Sequence, residues 1–378
     1  MPFRSRPSSL ICALTGALAL TSTATGAGSL ASDARHPVLS VAVESRSAIW
    51  NAVAVDGGRI FLAGPRWTGS RGPALVVVDR KGRRAAYPDA RWNSWTRGGD
   101  PASAFVDINA IHLDGRGGLW VVDTGASDFG GDPLPGAAKL VRIDLARDRV
   151  ERVIRLGADV ALTGSYVDDI RFHGDHAYLT DAGRPGLIVV DLVTGKSRRV
   201  LDRHPSTVAT EGRPIRIGGR ILRAPDGKPL RVNADPLEVT PDGRWLIYAP
   251  LSGPWSRVPT ALLDDPSVSP ERLAAAVEPW ADLPPTGGTA MAPDGSLYFS
   301  DLATDSIRRR APDGSVTTVI ADHRLHWVDA PFLGADGTLW LSVPQMDRVG
   351  LFNAGQSRVQ RPVRVYRLSL AAKAGPRN

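Results

Sequence analysis

Short apolar runs, each followed by a tight turn and an aromatic-rich apolar run, recur six times along the chain. Apolar and polar residues alternate in several runs, as in Val316–Ile320, which is typical of a β-strand with one buried face. Repeats of about 40–60 residues built from strands are characteristic of β-propellers. The pattern therefore predicts an all-β fold, a β-propeller of six blades. A small polar residue or glycine opens each copy, at Asn51, Asn109, Asp168, Asp235, Gly287 and Asp329.

The joint between the two runs predicts the turn of a β-hairpin, because Asp and Gly adopt positive φ at low cost. In most copies a second hairpin follows, as in the segment GLIVVDLVTGKSRRVL. Two hairpins in succession predict blades of four antiparallel strands. The predicted turns are Asp56-Gly57, Asp114-Gly115, Gly174-Asp175, Asp242-Gly243, Asp294-Gly295 and Asp336-Gly337.

The two ends of the repeat region both have the pattern of a strand, at Val38–Val43 and Pro362–Leu370. We expect the N-terminal strand to complete the blade built by the C-terminal one, because this closes the ring and protects sheet edges. Residues 38–370 are thus predicted to form a single propeller domain, followed by a disordered tail at 371–378.

The first residues have the pattern of a secretory signal peptide. Arg4 and Arg6 precede the apolar run Leu10–Leu20, and small residues near Ala27 and Ala31 offer cleavage sites. An uncleaved anchor is the alternative interpretation. Cleavage would leave an exported protein, periplasmic or extracellular in a bacterium, with no membrane attachment. The single cysteine, at position 12, would be lost as well, so the mature chain would have no disulfide and no thiolate metal site.

The net charge of +7 is modest for 378 residues. Basic residues cluster at Arg308–Arg310 and Arg213–Arg231, but stacking aromatic residues do not alternate with them, as a nucleic-acid surface would require. We therefore expect no nucleic-acid partner. A small molecule bound to a monomer is the expected complex.

The repeat openings predict where a ligand would bind. The inner strand of each blade lines the central channel, so its first residues face the channel mouth. Gly287-Gly288 offers almost no side chain, which would leave room for a ligand. The alternative is that the ring's polar groups satisfy only one another and buried waters. The predicted ring consists of Asn51, Asn109, Asp168 or Asp169, Asp235 and Asp329.

Several segments together resemble the major royal jelly protein/Yellow family. They include PRWTGSRGPALVVVD, INAIHLDGRGGLWVVDTG and LHWVDAPFLGADGTLWLSVPQM, and the resemblance covers roughly residues 40–370. It implies a six-bladed, secreted propeller, here a bacterial member. For function, the resemblance implies pigment chemistry on dopachrome, binding of biogenic amines, or a nutritional role.

More distantly, the ring resembles the gluconolactonase/regucalcin family of six-bladed propellers. Oxygen ligands converging on one axis suit Ca²⁺ or another hard divalent cation. The resemblance implies metal ligands at Asn109, Asp168, Asp235 and Glu44, with Asp235 and Asp168 as catalytic residues of a lactone hydrolase. Asp168-Asp169 departs from that family, which typically has Asn-Gly there. No cofactor is firmly predicted.

A metal-free alternative relies on the tryptophans, of which the chain has 10. Trp67 and Trp327 are predicted to line the ligand site with Asn51, Asn109, Asp169 and Asp329. Trp50, Trp92 and Trp95 also lie near predicted loops or blade starts. Aromatic walls with several carboxylates suit a cationic aromatic amine.

The insertion Arg203–Asn233 is long, polar and rich in arginine, with its own predicted turn at Asp226-Gly227. It is predicted to form an extra hairpin, as a lid over the channel, a surface for a protein partner, or a hairpin without function. The sequence therefore favours a small-molecule-binding propeller. Lactone hydrolysis and a protein-interaction scaffold remain alternatives, and whether the protein is an enzyme stays open.

Overall fold

The computed structural model describes residues 38–370. The predicted signal peptide, Cys12 and the predicted tail lie outside this range. No helix within it is long and apolar enough to cross a lipid bilayer. The helices are α1 (Thr260–Asp264) and α2 (Pro270–Ala275), and single 3₁₀ turns lie at Arg66–Thr68, His323–Leu325, Met346–Arg348 and Gly350–Phe352.

The rest of the regular structure in this range is β-strand. The strands are β1 (Leu39–Ser45), β2 (Ala52–Asp56), β3 (Arg59–Ala63), β4 (Leu75–Val78), β5 (Arg84–Ala86), β6 (Ile108–Leu113), β7 (Gly118–Asp123), β8 (Lys139–Asp144), β9 (Arg149–Arg155), β10 (Val167–His173), β11 (His176–Asp181), β12 (Gly186–Asp191), β13 (Ser197–Val200), β14 (Arg216–Ile217), β15 (Arg220–Ile221), β16 (Ala234–Val239), β17 (Trp245–Pro250), β18 (Trp255–Pro259), β19 (Glu278–Ala281), β20 (Thr286–Met291), β21 (Leu297–Asp301), β22 (Ser306–Arg310), β23 (Val316–Ala321), β24 (Asp329–Leu333), β25 (Thr338–Val343) and β26 (Val363–Ser369).

Six four-stranded antiparallel sheets form the six blades, as predicted. Blades 1 to 5 are β2–β5, β6–β9, β10–β13, β16–β19 and β20–β23. Blade 6 is β24, β25 and β26 with β1 as its outermost strand. The predicted closure is therefore confirmed: Leu39 pairs with Leu368 and Ser45 with Val363. The predicted hairpin turns are present as well, with positive φ at residues such as Gly57 and Gly115.

The hydrophobic core lies between neighbouring blades. Strand β7 is buried along its whole length because blades pack against both of its faces. Trp120 is 2% exposed and belongs to the core, and Trp50 is equally buried and does not line a ligand site. Apolar packing of this extent sets the blades around the axis and positions their inner strands.

A β-bulge interrupts the register of the inner strand in blades 2 to 6. In blade 2 the bulge contains Asn109, and in blade 3 it contains Asp168 and Asp169. In blade 4 it contains Asp235. A bulge redirects a side chain from the alternating pattern of a strand. The bulges therefore explain how polar repeat openings face the axis while the residues after them return to the core.

In blades 2 and 3, a buried aspartate ends the second strand and binds the segment that leads into the inner strand of the same blade. In blade 3, Asp181 accepts hydrogen bonds from the backbone N–H groups of Tyr166 at 2.9 Å and Arg184 at 2.9 Å. In blade 2, Asp123 accepts from the backbone of Val106 and from Lys139. These charge-assisted bonds hold the residues that precede the inner strands. Tyr166 is thereby placed at the channel mouth.

Candidate functional site

A cavity of about 260 Å³ opens at the start of the inner strands. Because five blades contribute inner-strand residues to it, the cavity lies on the propeller axis, where the repeat openings predicted a ligand site. We call it the axial cavity. Its lining includes the inner-strand residues Asn109, Asp168, Asp235, Gly287 and Asp329, the aromatic residues Trp67, Phe129, Tyr166, Trp327 and Phe352, and the insertion residues Leu230, Arg231, Val232 and Asn233.

Three carboxyl groups, from Asp168, Asp235 and Asp329, form the floor of the axial cavity. Burial and the nearby charges of Asp169 and Asp181 raise the pKa of Asp168 to about 8, although hydrogen bonds from Asp235 and Asn109 partly oppose this rise. Burial and the neighbouring carboxylates raise the pKa values of Asp235 and Asp329 well above the ordinary range. Asp168 and Asp235 also share a hydrogen bond. The floor therefore retains protons at neutral pH and would ionise readily beside a cation.

A chain of hydrogen bonds fixes the floor from one side. The indole Nε1 of Trp67 donates to the hydroxyl of Tyr166 at 2.9 Å, and that hydroxyl donates to Oδ1 of Asn109 at 2.9 Å. The amide nitrogen of Asn109 donates to the carboxyl of Asp168. Asn51 lies behind this chain, where its amide nitrogen donates to the carbonyl of Asn109 at 2.8 Å. Asn51 thus positions Asn109 and does not line the cavity.

The wall of the axial cavity is aromatic. The ring of Phe129 lies 4.7 Å from that of Trp67 and 5.4 Å from that of Tyr166, measured between centroids. Phe352 closes the group, 5.9 Å from Phe129. Trp327 also lines the cavity and is 5% exposed. The cavity therefore combines flat apolar surfaces with an acidic floor.

The insertion covers one side of the axial cavity. Its strands β14 and β15 form the extra hairpin that the sequence predicted, and the predicted turn at Asp226-Gly227 is present within it. Leu230 and Val232 pack with Tyr166 and Trp327 in one apolar cluster. The insertion is thus part of the cavity wall.

Gly287 lines the axial cavity and Gly288 does not, but the packing of the neighbouring blade also requires both residues to be glycine. A Cβ atom on Gly287 would lie 2.6 Å from the carbonyl oxygen of Val328, and one on Gly288 would lie 2.4 Å from the backbone nitrogen of Ala330. Both approaches are far too close for a side chain. These glycines are required because blade 6 packs directly against the inner strand of blade 5.

Below the floor, Arg171 spans the channel. Its guanidinium donates to Glu238 at 2.9 and 2.8 Å and to Asp169 at 2.8 Å. Thr289 donates to the same glutamate at 2.9 Å. Asp169, predicted as a ligand contact, therefore belongs to this ion-pair layer and not to the axial cavity lining. A second cavity of about 400 Å³, with His112 in its lining, occupies the opposite mouth.

The structure brings together only part of the predicted site. Trp67, Trp327, Asn109, Asp168, Asp235 and Asp329 line the axial cavity. Trp92 and Trp95 pack in separate apolar clusters instead. Sequence reasoning missed Tyr166, Phe129 and Phe352. Tyr166 could have been found from the sequence, because it lies two residues before the opening of the third repeat at Asp168. The other two residues come from connecting segments that have no repeat pattern.

The predicted metal ligands do not form a fitting donor set. Glu44 is wrongly placed by the prediction, since it lies on the outermost strand β1 and pairs with Arg364 at 3.4 Å. Asn109 turns its amide nitrogen toward Asp168, and Asp168 shares a hydrogen bond with Asp235. Among residues 38–370, no three His, Cys, Asp or Glu side chains are grouped as a metal site would require. The four predicted ligands are therefore not brought together around one point.

His326 fixes the segment that carries Trp327. Its ring nitrogens lie 3.0 Å from Asp305 and 2.9 Å from Asp347, so it joins a turn of blade 5 to the 3₁₀ turn Met346–Arg348. Burial disfavours the charged ring, but the two aspartates outweigh it and raise the pKa of His326 to about 9. These contacts make His326 a packing residue of the loop, and it does not line the axial cavity.

Replacing His326 by glutamine is expected to lower the free energy of unfolding by about 1–2 kcal/mol at pH 6. Because the folded protein holds this proton more tightly than the unfolded chain, the stabilisation is full below about pH 6.5 and disappears as the pH rises through 9. Urea unfolding at pH 6, 8 and 10 measures it. The exposed His323→Gln is the matched control, and a pH-independent difference would contradict the argument.

The fold and cavity define a six-bladed propeller with an aromatic-walled, acid-floored axial site. The sequence profile of the major royal jelly proteins matches residues 107–329, more than half of the chain. The chain belongs to this family, which confirms the resemblance noted in its sequence.

Individual relatives agree with this assignment. The chain is 31% identical over 156 residues to Protein yellow of Drosophila melanogaster, an alignment that covers 38% of this chain and 28% of Yellow. The match thus spans less than a third of that relative. Among solved structures, virginiamycin B lyase from Staphylococcus aureus superposes with a TM-score of 0.52, covering 89% of this chain and 100% of the lyase, at 9% identity. Regucalcin, a calcium-binding protein from Agrobacterium tumefaciens, gives 0.50 at 12% identity, covering 87% of this chain and 93% of regucalcin. At these identities the structural matches show the fold alone.

Proposed function

We propose that this protein binds a small cationic aromatic molecule in the axial cavity. The observation that carries the proposal is the combination of four neighbouring aromatic side chains with a floor of three aspartates. An aromatic ring would stack among Trp67, Phe129 and Tyr166. Its ammonium group would lie on the carboxyl floor, where both charge pairing and the faces of the rings favour a cation.

Proton retention by the floor makes this binding dependent on pH. An empty floor holds protons because Asp168 titrates near pH 8. A bound cation favours the ionised carboxylates and so displaces a proton. Affinity is therefore expected to rise by up to about tenfold per pH unit between pH 6 and 8, where one proton is released per ligand.

A probe with a permanent charge tests the proposal, since its own titration is absent. N,N,N-trimethyltryptammonium and the neutral compound with carbon in place of the quaternary nitrogen are compared by calorimetry at several pH values. The charged probe should bind at least tenfold more tightly at pH 8, about 1.4 kcal/mol. Two buffers that differ in ionisation enthalpy then count the released protons.

Variants locate the interaction. Asp235→Asn should weaken binding of the charged probe by about tenfold or more and leave the affinity for the neutral probe unchanged. Phe129→Leu should weaken both probes. Asp313→Asn, in an exposed turn of blade 5, is the matched control for lost charge. Equal affinity for the two probes, with no dependence on pH, would refute the role of the floor.

The hydrogen-bonded pair of Asp168 and Asp235 favours a second candidate function, acid–base conversion of the bound ligand. One ionised carboxylate could remove a proton while its protonated partner returns one at another atom, which isomerises the ligand without a cofactor. Incorporation of solvent deuterium into a cyclised catecholamine quinone would reveal this conversion.

The lactonase alternative predicts instead that Ca²⁺ raises the melting temperature and that Asp235→Asn abolishes this rise. Export from the cell is proposed for all of these functions.

A further inference from the structure

A separate pocket, of about 490 Å³, lies where the ring closes between blades 6 and 1. Three arginines line it: Arg46 follows β1, Arg71 follows the 3₁₀ turn of blade 1, and Arg361 precedes β26. Its lining contains no aspartate or glutamate. We call it the seam pocket.

The backbone holds the three arginines together. The guanidinium of Arg361 donates to the carbonyl oxygen of Arg46 at 3.0 Å, and the backbone N–H of Arg71 donates to the carbonyl of Ser47 at 3.2 Å. Burial and the neighbouring charge of Arg71 lower the pKa of Arg361. Residues far apart in sequence are thus brought together by closure of the ring.

The arginines of the seam pocket lack acidic partners. Within residues 38–370 none of the three forms an ion pair, whereas the exposed Arg97 and Arg116 pair with aspartates at 2.7 and 3.1 Å. Converging cations without a counterion repel one another, and an anion would remove that cost. Guanidinium groups match the oxygens of a tetrahedral anion through paired hydrogen bonds.

We infer that the seam pocket is a binding site for a phosphate or sulfate group. Ser47 and Ser357 add hydroxyl groups to the lining, and the indole of Trp67 supplies an apolar wall. The pocket is much larger than a single tetrahedral ion needs, so the group would belong to a larger molecule such as a sugar ester. Trp67 also lines the axial cavity, so the two sites share one wall without sharing their charged residues.

The test is calorimetric titration of the purified protein with inorganic phosphate, inorganic sulfate, glucose 6-phosphate and glucose 6-sulfate, at constant ionic strength. Saturable binding is expected, weakened about tenfold or more by Arg71→Gln and by Arg361→Gln. Arg91→Gln, an exposed arginine outside the pocket, is the matched control. Tighter binding of the sugar esters would identify a sugar ester as the ligand, and equal binding would identify the free ion.

Thermal unfolding supplies an independent measurement. Without added anion, Arg71→Gln should raise the melting temperature by ~1–3 °C because repulsion is relieved, and it should remove the rise that the anions cause. Sulfate also stabilises proteins in general, and this part of the rise in melting temperature should persist in every variant. The Arg91→Gln control should keep both the general rise and the rise that comes from binding in the seam pocket. Absence of saturable binding by all four probes, or equal weakening by Arg91→Gln, would overturn the inference. Binding of the cationic probe in the axial cavity should stay unchanged in these variants.

Discussion

Replacing Arg171 by methionine is expected to lower the free energy of unfolding by about 3–5 kcal/mol at pH 8. Arg171 is 8% exposed and Glu238 is 4% exposed, so neither charge has ready access to water. Methionine fills a similar volume but leaves Glu238 and Asp169 without their cation. Two carboxylates would then face each other on the axis of the channel. Urea unfolding followed by circular dichroism measures the loss.

The acidic partners determine how this loss depends on pH. Without the arginine, both carboxyls should take up protons in the folded state, so the loss should shrink between pH 8 and pH 5. Adding Glu238→Gln to Arg171→Met should restore part of the stability, and the double-mutant cycle measures the coupling. A small loss that does not vary with pH would show that the ion-pair layer contributes little.

Asp168→Asn is expected to raise the free energy of unfolding at pH 9 by about 2–4 kcal/mol. The folded-state pKa is raised from 3.8 to about 8, so the folded protein resists ionisation that the unfolded chain undergoes freely. The wild-type protein should therefore lose stability as the pH rises from about 4 through 8, and the variant should lose less. Asparagine can still accept the hydrogen bond from Asn109 and donate one to Asp235.

The same variant should bind the charged aromatic probe much more weakly. A variant that is more stable but binds the probe less tightly is what we expect if the carboxyl group serves ligand binding at a cost in stability. Asp313→Asn serves again as control, since that carboxylate is exposed and accepts a hydrogen bond from Ser315 at 2.7 Å. If Asp168→Asn were destabilising at pH 9, the carboxyl group would have a structural role that outweighs its burial.

The repeat of strands and turns allowed the fold to be predicted from sequence, because the information in it is local. Alternating apolar residues and Asp-Gly joints specify hairpins wherever they occur, and six copies specify six blades. Closure by β1 and β26 followed from the need to cover sheet edges. The acidic floor was also predicted, since each repeat opening occupies the same place in its blade.

What the repeat did not contain could not be predicted in the same way. Phe129, Phe352 and the insertion residues reach the axial cavity from loops of different blades, at distances that no sequence spacing encodes. Arg171 was not predicted as important, because its role depends on an ion pair with Glu238 on the next blade, which the sequence does not reveal.

By itself the sequence determined the blades, their order and the ring of polar residues at the channel mouth. The tertiary structure decided which of those residues act together. In the folded protein, Asp168, Asp235 and Asp329 lie together on the floor of the axial cavity. Asp169 forms an ion pair with Arg171 instead, and Glu44 lies on the outermost strand of blade 6. The physical reason is that strand formation depends on neighbours along the chain, whereas charge, burial and pKa depend on neighbours in space.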